Sequence, residues 1–482
     1  MSSFKKEMIN GLFWSAVEKY SGLFIGIIIS MILARILGPE EYGVVAIATV
    51  LIHFMSMFCT MGIGPAIIQR QDLTCDDNNN IFTFSIYVGL VLSILFFLSS
   101  WPISWFYDKP DLIPVCQILT ICLFFGAVNM VPNALMMKNR RFKLVAKRTL
   151  LLQLLSGMCA IIAAYNGLSF YSLLISPVFT SVGIFIYNSR HYKLRFIAKP
   201  KIEPIKRIYS YSVYQFLFEF INFFSRNLDK LLIGKCMSAS SLGYYEKAYR
   251  LVQLPQNQIT SVINPVMQPL MSTLQEDMDQ MSQKHNRIVK FISTISFPVS
   301  IILYFCGNEI VTLFYGSHWE ESISTFQILS LSLSTQMILS TSGGIWQSCN
   351  ATNYLFWTGL ANTCITITGF VIAATFVRTI ESFAVAWTTT AVINFFITYF
   401  FMHKDVLHSS LSKFLFTLVN PVINSLILIC LFVPIQYMLI NENHIVSLII
   451  KLSLSSLVTI IFIQITKRYN ILLGIKTIIN KK

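Results

Sequence analysis

A chain of 482 residues that is 55% hydrophobic and only 12% charged, with a mean hydropathy of +0.64, lies outside the composition of soluble domains. Its net charge of +14 would suit a nucleic-acid binder, but the placement of that charge along the chain, set out below, assigns it to membrane topology and argues against a nucleic-acid partner. Ten scattered cysteines, with no C-x-x-C pair and no histidine cluster at ligand spacing, lend no support to disulfide or zinc readings.

The first ten residues, MSSFKKEMIN, precede an apolar segment that is too long for a cleavable signal peptide and lacks a small-residue cleavage site. From Gly11 onward, segments long enough to cross a bilayer recur almost to the C-terminus, a crossing needing about 20 residues at about 1.5 Å each. They fall at 11–35, 42–68, 81–104, 112–136, 149–166 and 168–188, and then at 208–234, 242–272, 291–315, 322–347, 353–377, 382–402, 414–439 and 444–466. Their even content of Leu, Ile and Phe, without a ten-residue alternation between turns, predicts helices rather than a barrel. The expected fold is therefore an all-α polytopic membrane protein with about fourteen transmembrane helices.

Between the sixth and seventh segments runs NSRHYKLRFIAKPKIEPIKR, Asn188 to Arg207. It is too short for a soluble domain and reads as a linker on the inner leaflet, with Tyr192 and Phe196 at headgroup depth. The expected organisation is a first lobe at 1–190, a cytoplasmic linker at 191–207, a second lobe at 208–405, and a last helix pair with a cytoplasmic tail at 406–482. The lobes resemble each other at an offset of 200 residues, Arg35 matching Lys235 and Gly43 matching Gly243. An even number of spans separates the copies, so a two-fold axis along the membrane normal can relate them.

Of the 36 Lys and Arg residues, 26 fall in segments on the side of the N-terminus, 4 on the opposite side and 6 inside spans. Insertion leaves cations in cytoplasmic loops, which makes both termini cytoplasmic. The run Lys138 to Arg148 reads as topogenic and lipid-phosphate binding. Lys451, alone in the last span, reads as a side chain that snorkels to the interface, and His53 as a helix-packing residue.

The charges inside spans carry the functional reading, because each costs about 2.5–3.5 kcal/mol at bilayer centre on insertion scales. Glu219, Arg226 and Lys230 fall within about 40° on one face of the seventh span, with Asp229 to one side. The eighth span opens with Glu246, Lys247 and Arg250, and the first carries Glu18 and Lys19. Arg226, Lys230, Lys247 and Arg250 are candidates to line a wet cavity and hold an anionic headgroup, arginine being suited to bidentate phosphate contact. The competing reading is snorkelling, with neutralisation by Asp229 and Glu246. Glu18, Glu219 and Asp229 are candidates to carry a coupling Na⁺ or H⁺, or simply to pair with nearby bases. No G-x-x-x-x-G-K-[ST] loop is present, so ATP hydrolysis is not expected of this chain.

The stretches MINGLFWSAVEKYSGLFIGIIISMILARILGPEEYGVVAIATVL, PNALMMKNRRFKLVA, RNLDKLLIGKCMSASSLGYYEKAYRLVQLP and INPVMQPLMSTLQED resemble the polysaccharide transporter branch of the multidrug/oligosaccharidyl-lipid/polysaccharide exporter superfamily. That resemblance implies two pseudo-symmetric six-helix lobes plus a C-terminal helix pair, a V-shaped central cavity and alternating access. It implies a flippase, not an enzyme, that moves undecaprenyl-diphosphate-linked oligosaccharide (an O-antigen, capsule or exopolysaccharide unit) across the bacterial inner membrane. The flippase would act as a monomer beside a polysaccharide polymerase and glycosyltransferases, with no cofactor beyond a coupling ion. Members resemble one another in cavity charges that fall here on Glu18, Arg226, Asp229, Lys230 and Arg250. The chain departs from the pattern at Met237-Ser238, where Leu-Gly is expected, and in SCNATNY, which lacks the bases of its first-lobe counterpart. The rivals are a drug or metabolite antiporter of the same superfamily, which would favour acidic sites, and a polytopic O-antigen polymerase or ligase, which would require a large external loop.

Overall fold

In hydrocarbon an unpaired backbone amide or carbonyl costs several kcal/mol, so an apolar chain closes its hydrogen bonds within each segment. The computed structural model describes residues 3–60, 63–70, 72–201, 203–439 and 442–466, and among them no strand forms. The chain divides into two compact units, Met1–Gly243 and Tyr244–Lys482.

The first unit contains α1 (Ser3–Ile36), α2 (Pro39–Thr60), α3 (Ile63–Gln69), α4 (Cys75–Tyr107), α5 (Leu112–Lys138), α6 (Phe142–Tyr165), α7 (Tyr171–His191) and α8 (Glu203–Cys236). It extends past the expected linker because α8 packs on α2 through Phe220, Phe223, Phe224 and Leu231 against Val50, Phe54 and Met57. Helix α4 begins at a capping box: Asp77 N–H donates to Thr74 Oγ1 at 3.1 Å, and Thr74 N–H to Asp77 Oδ2 at 3.0 Å. Two otherwise orphaned amides are satisfied there.

The segment after α7, residues 192–201, is irregular and tied to the first turns of α4. The backbone N–H groups of Arg195, Ile197 and Lys201 donate to Asn79 Oδ1, Thr83 Oγ1 and Asn80 Oδ1 at 2.9, 3.0 and 2.8 Å, and Tyr87 donates its hydroxyl to Ala198 O at 2.9 Å. Phe196 is exposed, with its ring edge-on to Tyr87.

The 200-residue repeat acquires a physical meaning in the same unit, where the start of α9 (Ala239–Ser272) meets the start of α2. A Cβ on Gly43 would lie 1.8 Å from Ala239 O, and one on Gly243 would lie 2.0 Å from Pro39 O. Under the offset Pro39 corresponds to Ala239 and Gly43 to Gly243, so this contact is reciprocal. Only a residue without a side chain allows backbones to approach so closely.

The second unit takes in most of α9 and continues with α10 (Met278–Phe305), α11 (Gly307–Tyr315), α12 (Ser322–Leu331), α13 (Leu333–Leu339), α14 (Ser342–Ser348), α15 (Thr352–Ile372), α16 (Ile380–Phe401), α17 (Leu411–Met438) and α18 (His444–Ile465). Helix α10 starts well before the expected 291, because Asp277 caps it and Met281, His285, Val289 and Ile292 bury one face at helical spacing. His285 lies parallel to the Phe414 ring, and Thr341 meets Tyr399 Oη at 3.1 Å beneath it.

Eleven helices among the described residues are long and apolar enough to cross a membrane. Helices α8 and α9 are not among them. The expected tenth span is broken into α12, α13 and α14, where the hydroxyls of Ser332 and Thr341 turn back to Leu329 O and Ile338 O at 2.6 and 2.8 Å. Such back-bonding bends helices. With α8, α9 and that broken segment, the eleven account for the fourteen segments read from the sequence.

Candidate functional site

Each unit carries part of the intramembrane charge set. In the first, Arg226 stands exposed on α8, Asp229 is fully buried and Lys230 is half-buried one turn beyond Arg226. Asp229 Oδ1 accepts the N–H of Lys230 at 2.8 Å, so the acid turns back onto its own helix backbone while the arginine is exposed. Glu18 on α1 is half-buried, and the exposed Lys19 holds its ammonium 5.9 Å from the ring of Tyr20. Glu219 lies in α8, but its side chain is outside the described residues.

In the second unit α9 separates two neighbouring bases. Arg250 is exposed, whereas Lys247 is 1% exposed and fully enclosed. Its ammonium lies 4.5 Å from the centre of the Tyr315 ring and 5.5 Å from that of Trp319. Ring faces stabilise a desolvated cation, so in this conformation Lys247 is packed against Tyr315 on α11 and Trp319 just beyond it. Sequence spacing could not separate it from Arg250, because the rings that seal it come from residues about 70 positions later.

Lys451 does not snorkel. At 3% exposure it donates to Glu309 Oε1 at 2.5 Å and to Phe305 O at 3.0 Å, and Ser447 Oγ donates to the same carboxylate oxygen at 2.6 Å. Glu309 stands at the start of α11, where a helix N-terminus also favours a carboxylate. A partner within reach inside the protein removed the need to extend toward water.

The sequence places Arg148 in a topogenic, lipid-phosphate-binding run, yet it is 4% exposed. It donates through Nη1 to Asn188 Oδ1, and both Nη1 and Nη2 lie 3.4 Å from Asn133 Oδ1. Asn188 in turn donates to Asn129 Oδ1 at 2.8 Å. A signal for this site was present: Asn129 and Asn133 are four apart on one helix face, and Asn188 is a third amide near the end of a neighbouring span. Substituting Arg148 by Met leaves buried amide oxygens unmatched, at about 1–3 kcal/mol. The expected result is a lower unfolding temperature in detergent, with Arg148→Lys intermediate because one ammonium cannot reproduce the guanidinium fork.

Comparison with known proteins agrees with this arrangement of helices. The chain is 23% identical over 434 residues to an uncharacterised membrane protein in the cps region of Klebsiella pneumoniae, covering 89% of each. It is 23% identical over 429 residues to the lipopolysaccharide biosynthesis protein WzxC of Escherichia coli K12, covering 87% of this chain and 85% of that one. The fold is similar to that of the lipid II flippase MurJ in an inward closed conformation, with a TM-score of 0.75 and 16% identity over 95% of this chain and 99% of that one. A family model described as polysaccharide biosynthesis protein matches residues 32–324, more than half of the sequence, and the chain therefore belongs to the polysaccharide biosynthesis protein family.

Proposed function

We propose that the chain is a flippase for undecaprenyl-diphosphate-linked oligosaccharide in a bacterial inner membrane, with both termini cytoplasmic. The observation that carries this reading is Arg226. It is an exposed guanidinium far along a 34-residue helix that is more polar than the eleven apolar spanning helices, with Lys230 one turn beyond. A helix of this kind is sustained where its charged face meets water or an anionic ligand. The family membership and the names of the relatives supply the biosynthetic setting. Exposed bases, with the neighbouring acid Asp229 buried, favour a diphosphate over the cationic solute of a drug antiporter.

In this mechanism the diphosphate and sugars enter a polar cleft while the polyprenyl tail stays in lipid, and alternating access re-exposes them on the far side. Arg226 offsets the phosphate charge, which would otherwise cross hydrocarbon unpaired, and Arg250 in the second unit is a separate candidate for the same role. Glu18 is the accessible candidate for a coupling H⁺ or Na⁺.

The test is Arg226→Ala in cells that depend on this chain for surface glycan. A charge-assisted contact contributes about 1.5–3 kcal/mol, so transport should fall about tenfold or more at unchanged protein level, with lipid-linked repeat units accumulating on the cytoplasmic side. Arg226→Lys should restore part of it. Undiminished transport by Arg226→Ala would remove the phosphate-binding role.

A further inference from the structure

The second unit carries a groove of 810 Å³ along α15 and α16. Its walls run from Cys364 to Val377 on one helix and from Glu381 to Ile393 on the other. At about 1.5 Å per residue the groove is about 18–20 Å long. A bilayer measures about 40–45 Å with its headgroups, so the groove is about as long as one leaflet is deep.

The sequence explains why the space is there. Gly369, Ala373 and Ala386 present little side chain, and the backbone of Ala373–Val377 is π-helical, which widens the last turn of α15. The helices close at one point, where a Cβ on Gly369 would lie 2.9 Å from Thr390 Cγ2. The lining surface is almost entirely apolar, with Thr368, Thr389 and Thr390 along its length, and charge gathers at the end nearest the α15–α16 turn. There Arg378, exposed and in the left-handed conformation at φ 56°, sits between the wall residues Val377 and Thr379, its Nε donating to Ala374 O at 3.3 Å. Three residues on, the half-buried Glu381 is held at the rim by Ser324, whose hydroxyl donates to Oε1 at 2.7 Å.

We propose that this groove binds one zwitterionic glycerophospholipid from the leaflet on the side of the α15–α16 turn. One acyl chain lies along the apolar walls, the phosphate meets Arg378 and the headgroup ammonium meets Glu381. Length selects a single-leaflet chain over a polyprenyl tail, which is far longer than the groove. Charge selects the headgroup: an anionic lipid such as phosphatidylglycerol satisfies Arg378 through its phosphate but offers the Glu381 carboxylate no cation, whereas an aminoalkyl phosphate satisfies both. The site does not depend on what the protein transports.

To test this, full-length protein is equilibrated in vesicles of equal phosphatidylethanolamine and phosphatidylglycerol, extracted into mild detergent and weighed by native mass spectrometry. One phosphatidylethanolamine per chain should be retained. Thr389→Trp, which fills the groove from its exposed wall, should remove it, and Arg378→Ala or Glu381→Gln should each lower retention about tenfold. Should Thr389→Trp fail to fold, phosphatidylethanolamine with a diazirine at its acyl terminus should label the peptide containing Cys364 and Ile365 in the unmodified protein. The proposal is overturned by retention of no lipid, by preferred retention of phosphatidylglycerol, by displacement with polyprenyl phosphate, or by photolabelling confined to other helices.

Discussion

Gly43→Ala should abolish transport and sharply lower the yield of folded protein, while Gly126→Ala leaves both intact. The contrast is steric. The added carbon at Gly43 would lie 1.8 Å from a carbonyl oxygen that belongs to the start of another helix, so no rotamer change relieves it. Its counterpart Gly243 meets the Pro39 carbonyl at 2.0 Å, and Gly243→Ala should behave alike. Overpacking usually costs about 1–3 kcal/mol and more where backbone must move. Gly126 lies within α5 with nothing within 4 Å of its would-be Cβ, so alanine there keeps the fold and gains helix propensity. Thermal unfolding in detergent together with glycan export in cells reads out both. A fully active, normally stable Gly43→Ala protein would show that this approach is not required.

The second large effect is expected at Glu309 and Lys451. Removing one member of a buried, hydrogen-bonded pair strands the other charge and costs about 3–5 kcal/mol, whereas replacing both with apolar groups of similar size is often neutral. Lys451→Met alone should therefore destabilise severely, since the Glu309 carboxylate keeps only the Ser447 hydroxyl of the donors described. The double variant Glu309→Leu/Lys451→Met should recover most of the loss. A Lys451→Met protein as stable as the double variant would mean that the two charges are not coupled.

Much of this architecture was readable from the chain because hydrocarbon imposes a simple rule: about 20 apolar residues form one closed helix. That rule located the segments now seen as α1 to α7 and α15 to α18, and it located α8 and α9 despite their charges. It failed where a local signal contradicted it. The hydroxyls of Ser332 and Thr341 break an apolar run whose hydropathy is unremarkable, and the polar first half of α10 is helical because only one face is apolar. The charged residues were harder still. Arg226 and Lys247 look equivalent in sequence, and their difference rests on Tyr315 and Trp319, which lie about 70 positions beyond Lys247. Arg148 and Lys451 likewise found Asn188 and Glu309, about 40 and 140 positions away. Partners at such separations leave no periodic trace in a single sequence.

The segment joining α7 to α8 has a mechanical consequence. Because the amides of residues 195, 197 and 201 each occupy a fixed acceptor on α4, at Asn79, Thr83 and Asn80 in turn, the connection is stitched down rather than slung: it runs forward along another helix, doubles back, and is pinned at three points. Inserting a single residue between 195 and 201 would shift every later amide off its mark, whereas the same insertion in an untethered linker would pass unnoticed.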